Sequence, residues 1–121
     1  MQGKILDWFE IYVEDLERAG RFYQQVLGVS LQPLGPPEVP MLAFPAGETA
    51  TGGALVHHPQ KPASENSTVV YFTCEDCSEE ASRVQAAGGT LVREKMSIGE
   101  HGFVALAKDS EQNLVGFHST R

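Results

Sequence analysis

Two short stretches, Trp8 to Val13 and Val69 to Cys74, alternate inward and outward side chains with a period of two. That period sends successive side chains to opposite faces, so each stretch predicts a strand. Each is followed by an acidic start, Glu14-Asp15 and Glu75-Asp76, and then by apolar residues at helical spacing. In the first helix Asp15 is the predicted N-cap, Leu16, Ala19, Phe22, Tyr23, Val26 and Leu27 form one face, and Gly28 ends the helix. In the second, Asp76 caps a thinner stripe of Cys77, Ala81, Val84 and Ala87 that runs to Gly88-Gly89. Strand material follows both helices: Val29 to Gln32, Met41 to Phe44 and Thr51 to His57, then Thr90 to Lys95, Gly102 to Ala107 and Asn113 to His118. Gly35-Pro36-Pro37, Pro45-Ala46-Gly47 and Asp109-Ser110-Glu111 supply the turns.

The second series of elements repeats the first at a displacement of 61 positions, and two copies use the whole chain. The predicted fold is α+β, one domain over 1–121. It is built from two β-α-β-β-β modules, about 1–60 and 67–121, joined by a linker rich in Pro, Ser and Lys at about 59–66. One module covers only one face of its sheet. Two modules that pair their sheets make a curved cup with the helices outside, and the uncovered faces become a concave surface for a ligand.

Composition narrows the function classes. With 121 residues, 41% of them hydrophobic and 21% charged, the chain has the size and balance of one globular unit. Its apolar runs fall far short of the ~20 residues of a membrane span. Met1 to Asp7 lacks the apolar segment of a signal peptide, which predicts a cytoplasmic protein. Nine Lys and Arg, scattered among sixteen Asp and Glu, give a net charge of −7 and argue against a nucleic-acid partner. Cys74 and Cys77 form a Cys-x-x-Cys around two acidic residues, which would raise a thiol pKa where a reactive thiol needs it lowered. A buried Cys74 beside a half-exposed Cys77 is therefore expected, in preference to a redox or metal pair.

The run from Trp8 to Ala19, with Phe22-Tyr23 and Val26-Leu27-Gly28, closely resembles the opening of the vicinal oxygen chelate superfamily, which includes glyoxalase I, bleomycin-resistance proteins and extradiol dioxygenases. Gly88-Gly89, Gly102-Phe103 and the stretch from Lys108 to His118 resemble its closing turn and last strand. Enzymes of that superfamily hold a divalent metal with His, Glu or Gln from the first and last strands of each module. The resemblance places those positions at Trp8, Val69, Gly116 and Leu55, or a neighbour of Leu55 within Gly52 to Val56. None of the four offers a lone pair suited to such a cation, so no cofactor is expected and a divalent metal is the disfavoured alternative.

If Trp8 faces the cup, strand alternation places Glu10 and Tyr12 beside it and sends Phe9, Ile11 and Val13 to the helix side. The same alternation adds Tyr71 and Thr73, then His57 beside Leu55, then Leu114 and His118 beside Gly116. Trp8 and Leu114 would be apolar walls, and Glu10, Tyr71, His57 and His118 polar fixtures. Gly116 would leave extra room. This mixture suits a small organic ligand, although Glu10 satisfied by Tyr71 or a histidine, and Trp8 in a plain core, are the simpler readings. His101, flanked by glycines, lies in a loop that either arches over the cup or is a plain turn. A metal-free binding protein is the preferred function. The alternative is a lyase, isomerase or other enzyme with a displaced site, with Glu10 as base and His118 or His57 as acid, or with the three as metal ligands. The equivalence of His57 and His118 under the 61-residue shift favours the alternative. Exposed rims and strand edges predict a homodimer.

Overall fold

The computed structural model describes residues 8–46, 51–59, 66 and 68–121. Their order is β1 (Trp8–Tyr12), α1 (Leu16–Leu27), β2 (Gln32–Leu34), β3 (Met41–Ala43), β4 (Gly52–Val56), β5 (Val70–Thr73), α2 (Cys77–Arg83), β6 (Thr90–Ser97), β7 (Phe103–Lys108) and β8 (Leu114–Ser119), with a 3-10 turn at Gly99–His101. Each half forms a four-stranded mixed sheet, ordered β1-β4-β3-β2 and β5-β8-β7-β6. The first and last strands of each half run parallel, and the remaining pairs are antiparallel. This is the α+β fold of two β-α-β-β-β modules that the repeat predicts. Most of the predicted linker, 60–65, lies outside the described residues.

The helix signals act as expected at both starts. Asp15 accepts from the Arg18 amide at 3.0 Å, and Asp76 accepts from the Ser78 amide at 3.1 Å. Lys95, 2.8 Å from Asp76, together with Ser78 holds that carboxyl down at about 2. At its far end α1 closes on Gly28 in the left-handed conformation, φ 69°. Helix α2 ends at Arg83 rather than at the glycines. The Val84 amide turns back to the Ala81 carbonyl and Val84 is fully buried, so the apolar stripe continues through irregular turns. Strand β2 begins at Gln32 and not at Val29. The Leu31 amide is held by the Gln24 side chain at 2.9 Å and its own side chain is buried, which ties that segment to α1.

Apolar faces from both halves meet in one core that contains Ile11, Val13 and Leu55 of the first and Val115, Phe117 and Val84 of the second. Phe72 lies at their meeting point, with its ring 5.5–6.2 Å from those of Phe44, Tyr23 and Phe9. Both helices contribute to this core, on the face opposite Trp8 and Glu10.

Polar clamps also join the halves. The Glu111 carboxylate, sealed from solvent, accepts from the amides of Glu14 and Asp15 at 3.1 and 3.0 Å and from the Arg18 guanidinium at 2.6 and 2.7 Å. Tyr23 donates to Asp109 at 2.6 Å, and Asp109 in turn accepts from the amides of Glu111 and Asn113. Arg83 donates to the Val26 carbonyl at 2.8 Å.

Candidate functional site

On the face of the first sheet that turns away from the core, β1 presents Trp8, Glu10 and Tyr12 together. The Tyr12 hydroxyl donates to one Glu10 oxygen at 2.7 Å, and the Trp8 indole N–H donates to the other at 3.3 Å. Expected partners for Glu10 were Tyr71 or a histidine. The donors are instead its own strand neighbours two positions away, because side chains two apart lie on one face. The Glu10 carboxylate in turn raises the Tyr12 phenol above its usual range, with partial burial adding to the effect. Trp8 is 43% exposed, so it is an open aromatic surface rather than core.

The second sheet repeats the arrangement with different residues. Tyr71, 49% exposed, pairs with Gly116, and Thr73 pairs with His118. The room that Gly116 was expected to leave is filled: a Cβ there would collide with the Tyr71 ring. Trp8 sits likewise over Gly52, where a Cβ would lie 3.0 Å from its ring. An aromatic side chain thus covers a strand glycine in each half. His118 donates from Nε2 to the His101 carbonyl at 2.7 Å and so fastens the Gly99–His101 turn to β8.

The sheet register corrects two expectations. Glu10 pairs with Ala54 in the first half and Tyr71 with Gly116 in the second. Glu10 and Tyr71 keep the displacement of 61, but Ala54 and Gly116 differ by 62, so the shift slips by one residue before the last strand. The counterpart of Gly116 is therefore Ala54. Leu55 pairs with Ile11 and belongs to the buried core. His118 corresponds to Val56 and not to His57. The His57 ring bonds through Nδ1 to the Val13 carbonyl at 3.1 Å, away from the Trp8 face. Glu10, His57 and His118 are thus held by three separate sets of partners. Among the described residues no three His, Cys, Asp or Glu side chains are disposed to hold a metal ion. Within the span Gly52 to Val56, where the resemblance puts Leu55 or a neighbour as the fourth metal position, the register makes Ala54 the residue equivalent to Gly116.

A groove of about 310 Å³ runs beside β1, lined by Glu10 and Tyr12 on one side and by Asn66, Thr68, Asn113 and Leu114 on the other. Asn66 fixes its far wall, accepting from the Leu114 amide at 2.9 Å and donating to the Leu114 carbonyl at 3.1 Å. Asn113 closes one end by donating to the Tyr12 carbonyl at 3.0 Å. Neither asparagine stood out in the sequence. Asn66 is embedded in a run of turn-forming residues, and its role follows only from the return of β8 alongside it.

The two cysteines are reversed relative to expectation. Cys77 is fully buried under α2, and Cys74 is the half-buried one. Burial and the nearby Glu80 push the Cys74 thiol up to about 12, opposite to what a nucleophilic thiol requires.

The family model described as the Glyoxalase/Bleomycin resistance protein/Dioxygenase superfamily matches residues 5–117. CFP32, a protein named as a glyoxylase in Mycobacterium bovis and in Mycobacterium tuberculosis, is 28% identical over 109 residues, which is 88% of this chain. This chain spans about 40% of the length of those relatives. Among solved structures, a glyoxalase/bleomycin resistance protein from Albidiferax ferrireducens superposes with TM-score 0.74 at 18% identity, over 94% of this chain and 98% of the other. TnmS3, an antibiotic binding protein from Streptomyces sp. CB03234, does so with TM-score 0.74 at 20% identity, over 100% and 99%. Likeness at these identities establishes the shared fold.

Proposed function

Since the chain belongs to the Glyoxalase/Bleomycin resistance protein/Dioxygenase superfamily, we propose that it binds a small organic molecule, without a metal, on the open sheet face around Trp8, Glu10, Tyr12 and Leu114. The observation that carries this reading is the half-exposed Trp8 indole, held in place by its hydrogen bond to Glu10, whose carboxylate lines the groove beside β1. A rigid aromatic platform with a carboxylate and a phenol beside it stacks a flat apolar ligand and orients a polar group on it. Tyr71, Thr73, Gly116 and His118 form the corresponding face of the second half. The antibiotic-binding neighbour of the same fold supports binding as a function. Glu10, His57 and His118 have separate hydrogen-bond partners, which weighs against an acid–base or metal-ligand trio.

Trp8 is the only tryptophan in the chain, so its emission reports on this face directly. Titration with indole-, naphthalene- and quinoline-based compounds is expected to give saturable quenching or a blue shift for at least one of them. Trp8→Ala, followed by calorimetry, should weaken that compound roughly tenfold or more. Unchanged emission throughout the panel, or stoichiometric metal in the purified protein by elemental mass spectrometry, would sink the proposal.

The working unit in this reading is a homodimer. Trp8, Leu34, Tyr71, Val92, Met96 and Ile98 are large apolar side chains left exposed on the open faces and outer strands, and a symmetric partner would cover part of them. With −7 on each chain, sedimentation should show association strengthening from low to moderate salt. A monomer at both ionic strengths would refute it.

A further inference from the structure

Strand β1 is the outer strand of its sheet and leaves one edge open. Val13, next after it, donates its amide to the Val56 carbonyl, and in a parallel pair the backbone groups of alternate residues turn to the same side. Phe9, Ile11 and Val13 therefore address β4, while Glu10 and Tyr12 turn their N–H and C=O away from it. The Tyr12 carbonyl on that far side is taken by the Asn113 side chain at 3.0 Å. The N–H and C=O of Glu10 have no partner among the described residues. The groove beside β1 runs along this edge. Phe9, Glu10, Ile11 and Tyr12 line it in succession, and residues whose side chains alternate between two faces have only the strand edge in common. Across the groove, Asn66 shows how an amide satisfies two such groups at once. Its side chain accepts from the Leu114 N–H at 2.9 Å and donates to the Leu114 C=O at 3.1 Å, so one carboxamide matches both backbone groups of one residue.

From this geometry we propose that the polar group selected by the site is a primary carboxamide on a flat aromatic body. Its oxygen accepts from the Glu10 N–H and its NH2 donates to the Glu10 C=O, as Asn66 does for Leu114, and the ring lies against Tyr12 and Leu114. The assignment rests on the reading that this face binds a small organic molecule, and it adds which functional group that molecule carries. A strand joining the edge would meet Glu10 through the same two bonds. The groove, of about 310 Å³, has the volume for a molecule of one or two rings. Discrimination follows from the adjacent donor and acceptor. An ester or a tertiary amide still accepts from the Glu10 N–H, but it strips water from the Glu10 carbonyl without returning a donor, and that loss is costly. A carboxylate of the same shape would also meet the Glu10 side chain and a net charge of −7, both of which repel it.

The test titrates the full chain with quinoline-3-carboxamide, its methyl ester counterpart and its N,N-dimethyl amide, followed by nuclear magnetic resonance of the backbone amides. The primary carboxamide should bind roughly tenfold more tightly than either of the others. At saturation the Glu10 amide proton should move downfield and exchange more slowly with solvent. Glu10→Pro removes that N–H at a strand edge, where proline is tolerated. It should bind the carboxamide roughly tenfold more weakly than Glu10→Ala, which loses the same carboxylate but keeps the N–H. The resonance measurement on the unaltered chain stands even if the proline variant does not fold. Equal affinities across the three compounds, an unmoved Glu10 amide at saturation, or equal carboxamide affinity in the Pro and Ala variants would each overturn the assignment. Equal affinities would leave binding on this face intact, whereas failure of all three compounds to bind, with Trp8 emission unchanged throughout the wider panel, would remove both readings together.

Discussion

Glu111→Ala should lower the unfolding free energy by about 3 kcal/mol, a fall in melting temperature of roughly 10 °C for a domain of this size. The side chain is fully buried in the turn before β8, yet its partners belong to the other half of the chain: the amides of Glu14 and Asp15 and the Arg18 guanidinium. Removing it leaves two amides at the entrance to α1 without their acceptor and frees a guanidinium that is half in solvent. The loss is therefore large, but smaller than for a pair buried on both sides. The acid response has a definite sign. Burial alone would push the Glu111 carboxyl up, but the bonds from Arg18, Asp15 and Ser110 outweigh it and hold the group at about 2, below its ordinary 4.5. A depressed folded-state value means that the stabilisation is complete above about 4.5 and is lost as the pH falls from there toward 2. Thermal melts across that window should show the wild type losing stability and Glu111→Ala losing distinctly less. Parallel pH profiles would show that Glu111 does not carry the effect.

Gly89→Ala should cost about 3 kcal/mol, the upper range for overpacking a core, although a single methyl is added. Its backbone is not in the left-handed region, so the reason is space. A Cβ at Gly89 would lie 2.5 Å from the Lys108 carbonyl oxygen and 2.6 Å from the ring of Phe22. Phe22 has some freedom to move, but Lys108 belongs to β7 and is paired with Thr90, so its carbonyl has nowhere to go. Phe22→Leu placed in the Gly89→Ala background should consequently recover less than about 1 kcal/mol, because it relieves only the ring contact. Full recovery by chemical denaturation would mean that the ring alone excludes a side chain at Gly89. The contact matters beyond its own energy, since Phe22 of the first half packs on Gly89 of the second and helps set how the two sheets are joined.

How much of this could be read from the chain follows from the range of the interactions involved. Strand alternation, the caps at Asp15 and Asp76 and the stop at Gly28 are local, each made within a few residues, and the sequence determined them together with the duplication and the α+β fold. The face shared by Trp8, Glu10 and Tyr12 belongs with them, because residues two apart on a strand share a face in any tertiary setting. What failed were inferences carried across the duplication by counting. A single extra residue before β8 turns the displacement from 61 to 62, and a slip of one moves every side chain of a strand to its opposite face. It exchanges Leu55 for Ala54 as the counterpart of Gly116 and detaches His57 from His118. The order of burial of Cys74 and Cys77 depends on how α2 seats against its sheet, which its thin apolar stripe does not specify. The Glu111 clamp, the Tyr71 ring over Gly116 and the Asn66 wall were decided by tertiary structure alone. All three rest on groups about 45 to 97 positions apart in the chain. A sequence states what each side chain is able to do, but which groups meet is settled only when the two sheets close on their common core.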